Sequence, residues 1–181
     1  MSGADGKPRL WVAAWGIFGV LLLLGKALHK VIPIALEPLQ QGTMTRVQIL
    51  LYVACILFNA WAEGYRGFQR GFAPRVVARA FHLARNPRPL HVLLAPAYCM
   101  SYFHASRRGM IVAWTVSCTI ALVVIGVRHV PQPWRGIIDA GVVVGLLWGM
   151  VAVLVFFVRA AQGHVPAVKI NLPEHAPPAT P

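Results

Sequence analysis

Residues 109–127, GMIVAWTVSCTIALVVIGV, run without a single charged side chain. About 20 apolar residues at about 1.5 Å each match a hydrocarbon core about 30 Å thick, so this run is long enough to cross a bilayer as a helix. Backbone amides in lipid must be paired within their own segment, which makes the helix the form such a run takes. Runs at 10–27, 46–63 and 136–158 are apolar along most of their length, with charges only at Lys26, Arg46, Glu63 and Asp139. The chain therefore reads as an all-α polytopic membrane protein with four transmembrane helices in one domain, residues 1–158. A fifth apolar stretch, 90–105, is short, carries Pro96 near its middle and ends at Arg107 and Arg108. It reads as a re-entrant or half-span helix, with a full fifth crossing as the alternative. Composition agrees, since 57% of the residues are hydrophobic, 12% are charged and the mean hydropathy is +0.62. The Pro-rich tail, 159–181, is expected to be disordered.

The few charges are strongly one-sided: 17 Lys and Arg face five acids, a formal net charge of +12. On a soluble domain this would point to nucleic acid. Here the basic residues border apolar runs, as juxtamembrane arginines do, and nucleic acid is not an expected partner. Arg66, Arg70, Arg75, Arg79, Arg85, Arg88, Arg107 and Arg108 all fall in the connection 64–108. The positive-inside rule places that connection in the cytoplasm, and with four spans both termini follow. The expected location is a bacterial-type inner membrane.

Within this connection, 74–86 has an amphipathic pattern. Arg75, Arg79 and His82 share one face with Arg85 beside it, Val76, Val77, Ala80, Phe81, Leu83 and Ala84 cover the other, and Pro74 and Pro87 bracket the segment. Such a helix is expected to lie in the cytoplasmic interface, arginines toward anionic headgroups. The eight arginines form the expected lipid- or partner-binding set.

Two helices carry further patterns. Along the second span, Gln48, Tyr52, Asn59 and Glu63 fall on one face at helical spacing, and the stripe continues to Arg66 and Arg70. Polar side chains are costly against lipid, so the stripe is expected to face other helices or a wet path. In the last span, Gly141, Gly145 and Gly149 recur at spacing four, a ridge that lets another helix approach closely, from this chain or from a second copy.

Signs of chemistry are sparse. Cys55, Cys99 and Cys118 have no paired spacing, and no metal site, disulfide or catalytic residue is expected. Glu63 and Asp139 are expected at opposite membrane faces, which excludes a carboxylate pair. His91 and His104, thirteen residues apart, would point to different faces of one helix. His29 and His129, at similar depth near the outer ends of two spans, are the one pair suited to a b-type haem, although no cofactor is expected on balance. The leading reading is a non-enzymatic accessory, assembly or interaction protein whose basic face engages anionic lipid, a partner membrane protein, or a copy of itself through the glycine ridge. The alternatives are a small transporter or channel built on the polar stripe, and a haem- or quinone-binding redox subunit.

Overall fold

A computed structural model describes residues 9–42, 44–168 and 170. All regular elements among the described residues are helical. Helix α1, Leu10–Gln41, continues through Pro33 and Pro38 and stops at Gly42, whose left-handed backbone (φ 63°) terminates it. Helix α2, Arg46–Asn59, starts from a reciprocal cap in which the Thr45 side chain accepts from Gln48 and the Gln48 side chain accepts from Thr45.

Helix α2 does not end at the edge of its apolar run. It passes into a π-helical segment, Ala60–Phe72, and then into α3, Ala73–Arg85. The result is one rod of 40 residues, about 60 Å long. The π-helical sequence AWAEGYRGFQRGF contains Gly64, Gly67 and Gly71, weak formers of the tighter α-turn. Its wide turns place residues five apart above one another: the Arg66 guanidinium lies 5.2 Å from the Trp61 ring and Arg70 lies 5.5 Å from Tyr65. The rod ends at Asn86, ahead of Pro87. Two short helices follow, α4 (Pro89–Leu93) and α5 (Ala95–Cys99), then α6 (Arg107–Val127), capped by the Ser106 hydroxyl, and α7 (Trp134–Ala161).

The rod, α1 and α7 form a three-helix bundle. Tyr52 meets Ala35 and the backbone of Arg9 meets Ala84, so α1 runs against the rod. Gly141 faces Asn59 and Phe81 packs on Phe157, so α7 runs with it. Leu10, Arg85 and Ala161 consequently share one end, called here the basic end. The larger core lies there, built from Val12, Ile17 and Val20 of α1, Val76, Phe81 and Leu83 of α3, Tyr98 and Cys99 of α5, and Val153 of α7. A smaller core of Ala35, Tyr52, Ile137 and Ala140 holds the far end. Helix α6 buries no residue and touches the remainder through Tyr102, whose ring meets Trp114 edge-on at 5.2 Å and whose hydroxyl bonds Ser117.

Four helices are long and apolar enough to cross a membrane: α1, the rod, α6 and α7. Several finer expectations are corrected. The helix that holds the first span continues past residue 27 to Gln41. The amphipathic segment 74–86 is helical but does not lie free in an interface, because its apolar face finds partners in α1, α5 and α7 and is buried against them. Stretch 90–105 is neither one half-span helix nor a crossing. It breaks before Pro96, packs on α1 and α3, and reverses through Ser101 and His104, both with left-handed backbone. The tail begins in order: α7 continues through Arg159 to Ala161, and Val165 packs on the larger core. The expectation of disorder for 171–181 lies outside the described residues.

Candidate functional site

The polar stripe and the glycine ridge, expected separately, face each other. Cys55 and Asn59 lie against Gly141, Glu63 against Gly145, and Phe68 against Gly149. The ridge is therefore occupied within the chain. Each stripe residue has a definite place. Gln48 closes the α2 cap, accepting from the Thr45 amide at 2.8 Å. The Tyr52 hydroxyl donates to the Ala35 carbonyl at 3.0 Å, tying α2 to α1. The Asn59 amide donates back to the Cys55 carbonyl at 2.9 Å. Beyond Glu63 the π-helical turns shift the register. Gly64 and Phe68 take the α7-facing positions, and Arg66 and Arg70 turn outward onto Trp61 and Tyr65.

Glu63 lies beside the middle of α7 and not beside one of its ends. Gly145, which it contacts, stands between Arg135 and Arg159, the charged residues that delimit α7, and is nearer its middle than either end. Asp139 pairs with Arg135 at 3.7 Å one turn into α7, so the two acids are separated by about 9 Å of helix rise and not by a whole membrane. A cavity of about 220 Å³ beside this stripe is lined by Ile32, Ala35, Leu36, Tyr52, Ile56, Ala140, Val143 and Val144. Its one hydroxyl is already bonded to Ala35.

The second assembly is the basic end. Arg66, Arg70, Arg75, Arg85, Arg88, Arg107 and Arg108 are exposed, and so are Arg9 and Arg159. Arg79 departs from the expected set: it is 1% exposed, at the centre of the end. Its Nε donates to the Tyr98 carbonyl at 2.8 Å, Nη1 to the Ile170 carbonyl at 2.7 Å and Nη2 to the His104 carbonyl at 3.2 Å, while its guanidinium lies 4.4 Å from the Tyr98 ring centre. One planar fork thus ties α3 to α5, to the 101–106 reversal and to the C-terminal tail.

That reversal brings together two histidines which sequence spacing set apart. The rings of His91 and His104 are 4.5 Å apart, between Tyr98 and Phe103. Burial, then Arg88 and Arg79, push the His91 imidazole below its usual value. Burial pushes the Cys99 thiol beneath them up to about 12, which keeps it protonated and unreactive. The signal for this cluster was Pro96, which breaks the helix on which the spacing argument depended. The haem pair fares differently: His29 and His129 are both exposed, and the His129 Nδ1 is engaged with the Ile125 carbonyl at 2.9 Å. Among the described residues no group of three or more His, Cys, Asp or Glu side chains is arranged to hold a metal ion.

The carboxylates among the described residues are Glu37, Glu63 and Asp139. Glu37 is at the far end, accepting from Gln132 at 2.7 Å, Asp139 is bound to Arg135, and Glu63 is on the ridge. None neutralises the basic end. Comparison with known proteins returned no matching family model, no matching curated sequence and no matching solved fold.

Proposed function

We propose that this is a non-enzymatic membrane protein whose basic end holds anionic lipid headgroups, acting as an accessory or interaction protein in a bacterial-type inner membrane with both termini on the cytoplasmic side. The observation that carries the reading is the charge imbalance at that end. At that end Arg75, Arg85, Arg88, Arg107, Arg108 and Arg159 are exposed and Arg79 is buried, with no described carboxylate among them. A cationic surface of this density attracts anions, and beside a bilayer the abundant source is the anionic headgroup. At about 1 kcal/mol for each arginine near such a surface, three arginines contribute about 3 kcal/mol, roughly two orders of magnitude in lipid retention. Gentle purification of the parent and of the Arg75→Gln, Arg85→Gln, Arg88→Gln variant, with mass spectrometry of bound lipid, tests it. Anionic lipid should remain with the parent and be lost from the variant as salt rises; equal retention by both would end the proposal.

A second reading, a small transporter or channel, draws on the placement of Glu63 near the middle of α7, because an ionisable group at such depth marks an ion or substrate path by default. Flux through reconstituted protein that is unchanged by Glu63→Gln would remove it.

A further inference from the structure

We infer that the face of α1 bearing Lys26 and Lys30 is a docking surface for a transmembrane segment of another protein, one that carries a carboxylate at mid-depth. This rests on the membrane reading above, not on its headgroup part, and names the partner that an interaction protein with this face would take.

The depth of the two lysines follows from contacts between α1 and α7, which run in opposite directions. Pro38 lies directly on Gly136, and a Cβ on Gly25 would stand 3.8 Å from Met150 Cε. Lys26 is therefore level with about residue 149 of α7, and Lys30 stands one turn, about 6 Å, nearer the far end. Helix α7 carries no charge from Ala140 to Val158, a run about 28 Å long that matches a bilayer core. Lys26 is close to the centre of that run, about 13 Å from either end, too deep for a lysine stem to carry its ammonium to an interface.

Nothing described covers this face. Lys26 and Lys30 are exposed, as are Leu22, Leu23 and Pro33 along the same side of the helix. The ion pair among the described residues is that of Arg135 with Asp139. At a similar height on the rod, Arg66 and Arg70 at least rest on the Trp61 and Tyr65 rings. An ammonium turned to lipid at this depth is costly, and the group that relieves the cost is a carboxylate.

Charge decides which occupant supplies it. Helix α6, the remaining span, is uncharged from Gly109 to Val127. A second copy in the same orientation would bring Glu63 to the height of Lys30, because Glu63 contacts Gly145. It would bring exposed Arg66 and Arg70 on the same rod as well, so self-pairing keeps four cations against one acid at this level. A foreign helix with a central Asp or Glu brings the acid alone. The spacing of the lysines, four residues, puts both ammonium groups on one side of α1, where a single carboxylate can accept from each.

The test uses the full chain in liposomes of zwitterionic lipid, with oligoleucine transmembrane peptides that carry one central Asp or one central Asn and a dansyl group. Energy transfer from protein tryptophan to dansyl reports association. The parent should bind the Asp peptide about tenfold or more tightly than the Asn peptide, the least expected of a charge pair taken out of water. Lys26→Gln, Lys30→Gln should lose that preference, whereas Lys26→Arg, Lys30→Arg, which keeps the charge, should keep it. Equal binding of both peptides by the parent, or a preference that survives in the Gln variant, would overturn the proposal. Two other occupants would also overturn it. A parent oligomer that the Gln variant dissociates makes the face a contact between copies, and modification of Lys26→Cys by a membrane-impermeant maleimide, beyond that of the parent's own cysteines, makes it a wall of a water-filled path. Extraction of the protein from the liposomes by alkaline carbonate would remove the membrane reading and this proposal together; resistance to extraction without a peptide preference removes this proposal alone.

Discussion

The Glu63 side chain lies so close to Gly145 that a Cβ on the glycine would stand 2.7 Å from Oε2 and 3.1 Å from the Glu63 Cβ. Gly141 and Gly149 are covered in the same manner by Asn59 and Phe68. A larger residue in this row must push the rod away from α7. Gly145→Leu is expected to destabilise the detergent-solubilised protein by about 1–3 kcal/mol, the usual range for overpacking, and to lower its melting temperature accordingly. Gly126→Ala is the matched control, since nothing lies within 4 Å of a Cβ there, and it should melt no lower than the parent.

The Arg79 fork makes a separate prediction at the opposite end of the larger core. Arg79→Leu preserves bulk but removes the donor to the carbonyls of His104 and Ile170, while the Tyr98 carbonyl keeps only the Ser101 amide. Each orphaned acceptor costs about 1–3 kcal/mol when buried, so with two part-buried acceptors the total loss should be on the order of 2 kcal/mol. Arg79→Lys should recover little, because a single ammonium cannot reach three diverging carbonyls as the planar fork does. Hydrogen exchange is the direct measurement: residues 98–106 should lose protection in both variants, while α2 and the first half of α7 keep theirs.

The π-helical segment allows a paired comparison between two glycines three residues apart. A Cβ on Gly64 would meet Trp148 Cγ at 2.8 Å, whereas a Cβ on Gly67 meets nothing nearer than the Ala62 carbonyl oxygen at 3.5 Å. Gly67→Ala should therefore stabilise by about 0.5–1 kcal/mol through the lower entropy of its unfolded chain. Gly64→Ala should destabilise, because the Trp148 ring must move and its indole bond to Gln69 at 2.8 Å is strained with it. Opposite shifts in melting temperature are expected, and shifts of the same sign would contradict the packing described.

What the sequence revealed follows from which of its signals are local. Periodicity placed the helix positions of α6 and α7 within a few residues, and spacing alone identified both the Gln48, Tyr52, Asn59, Glu63 stripe and the Gly141, Gly145, Gly149 ridge. That the two face each other was not legible, since helical phase carries no information about which neighbour a face meets. The same limit explains Arg79. Its spacing from Arg75 and His82 set it on a basic face, but its partners are backbone carbonyls at Tyr98, His104 and Ile170, and a carbonyl has no signature in sequence. The π-helical shift after Glu63 was invisible to an argument assuming 100° per residue, and that shift is what turned Arg66 and Arg70 out of the stripe.

The last prediction concerns pH. Burial and the charges of Arg88 and Arg79 hold the His91 imidazole below its ordinary value in the folded protein, and His82, Tyr98 and His104 border the same cluster. An unfolded chain binds this proton at the ordinary histidine value of about 6.5, whereas the folded chain binds it only at lower pH. Between those two values the unfolded state holds more protons, so stability falls as pH falls. The contribution is complete above about pH 6.5 and declines through the acid side of it. Melting temperature measured from pH 8 to pH 5 should drop more steeply for the parent than for His91→Gln, which keeps a planar polar side chain but cannot titrate. Identical pH profiles for parent and variant would show that His91 takes up its proton equally readily folded and unfolded, and that the cluster around it does not oppose the charge.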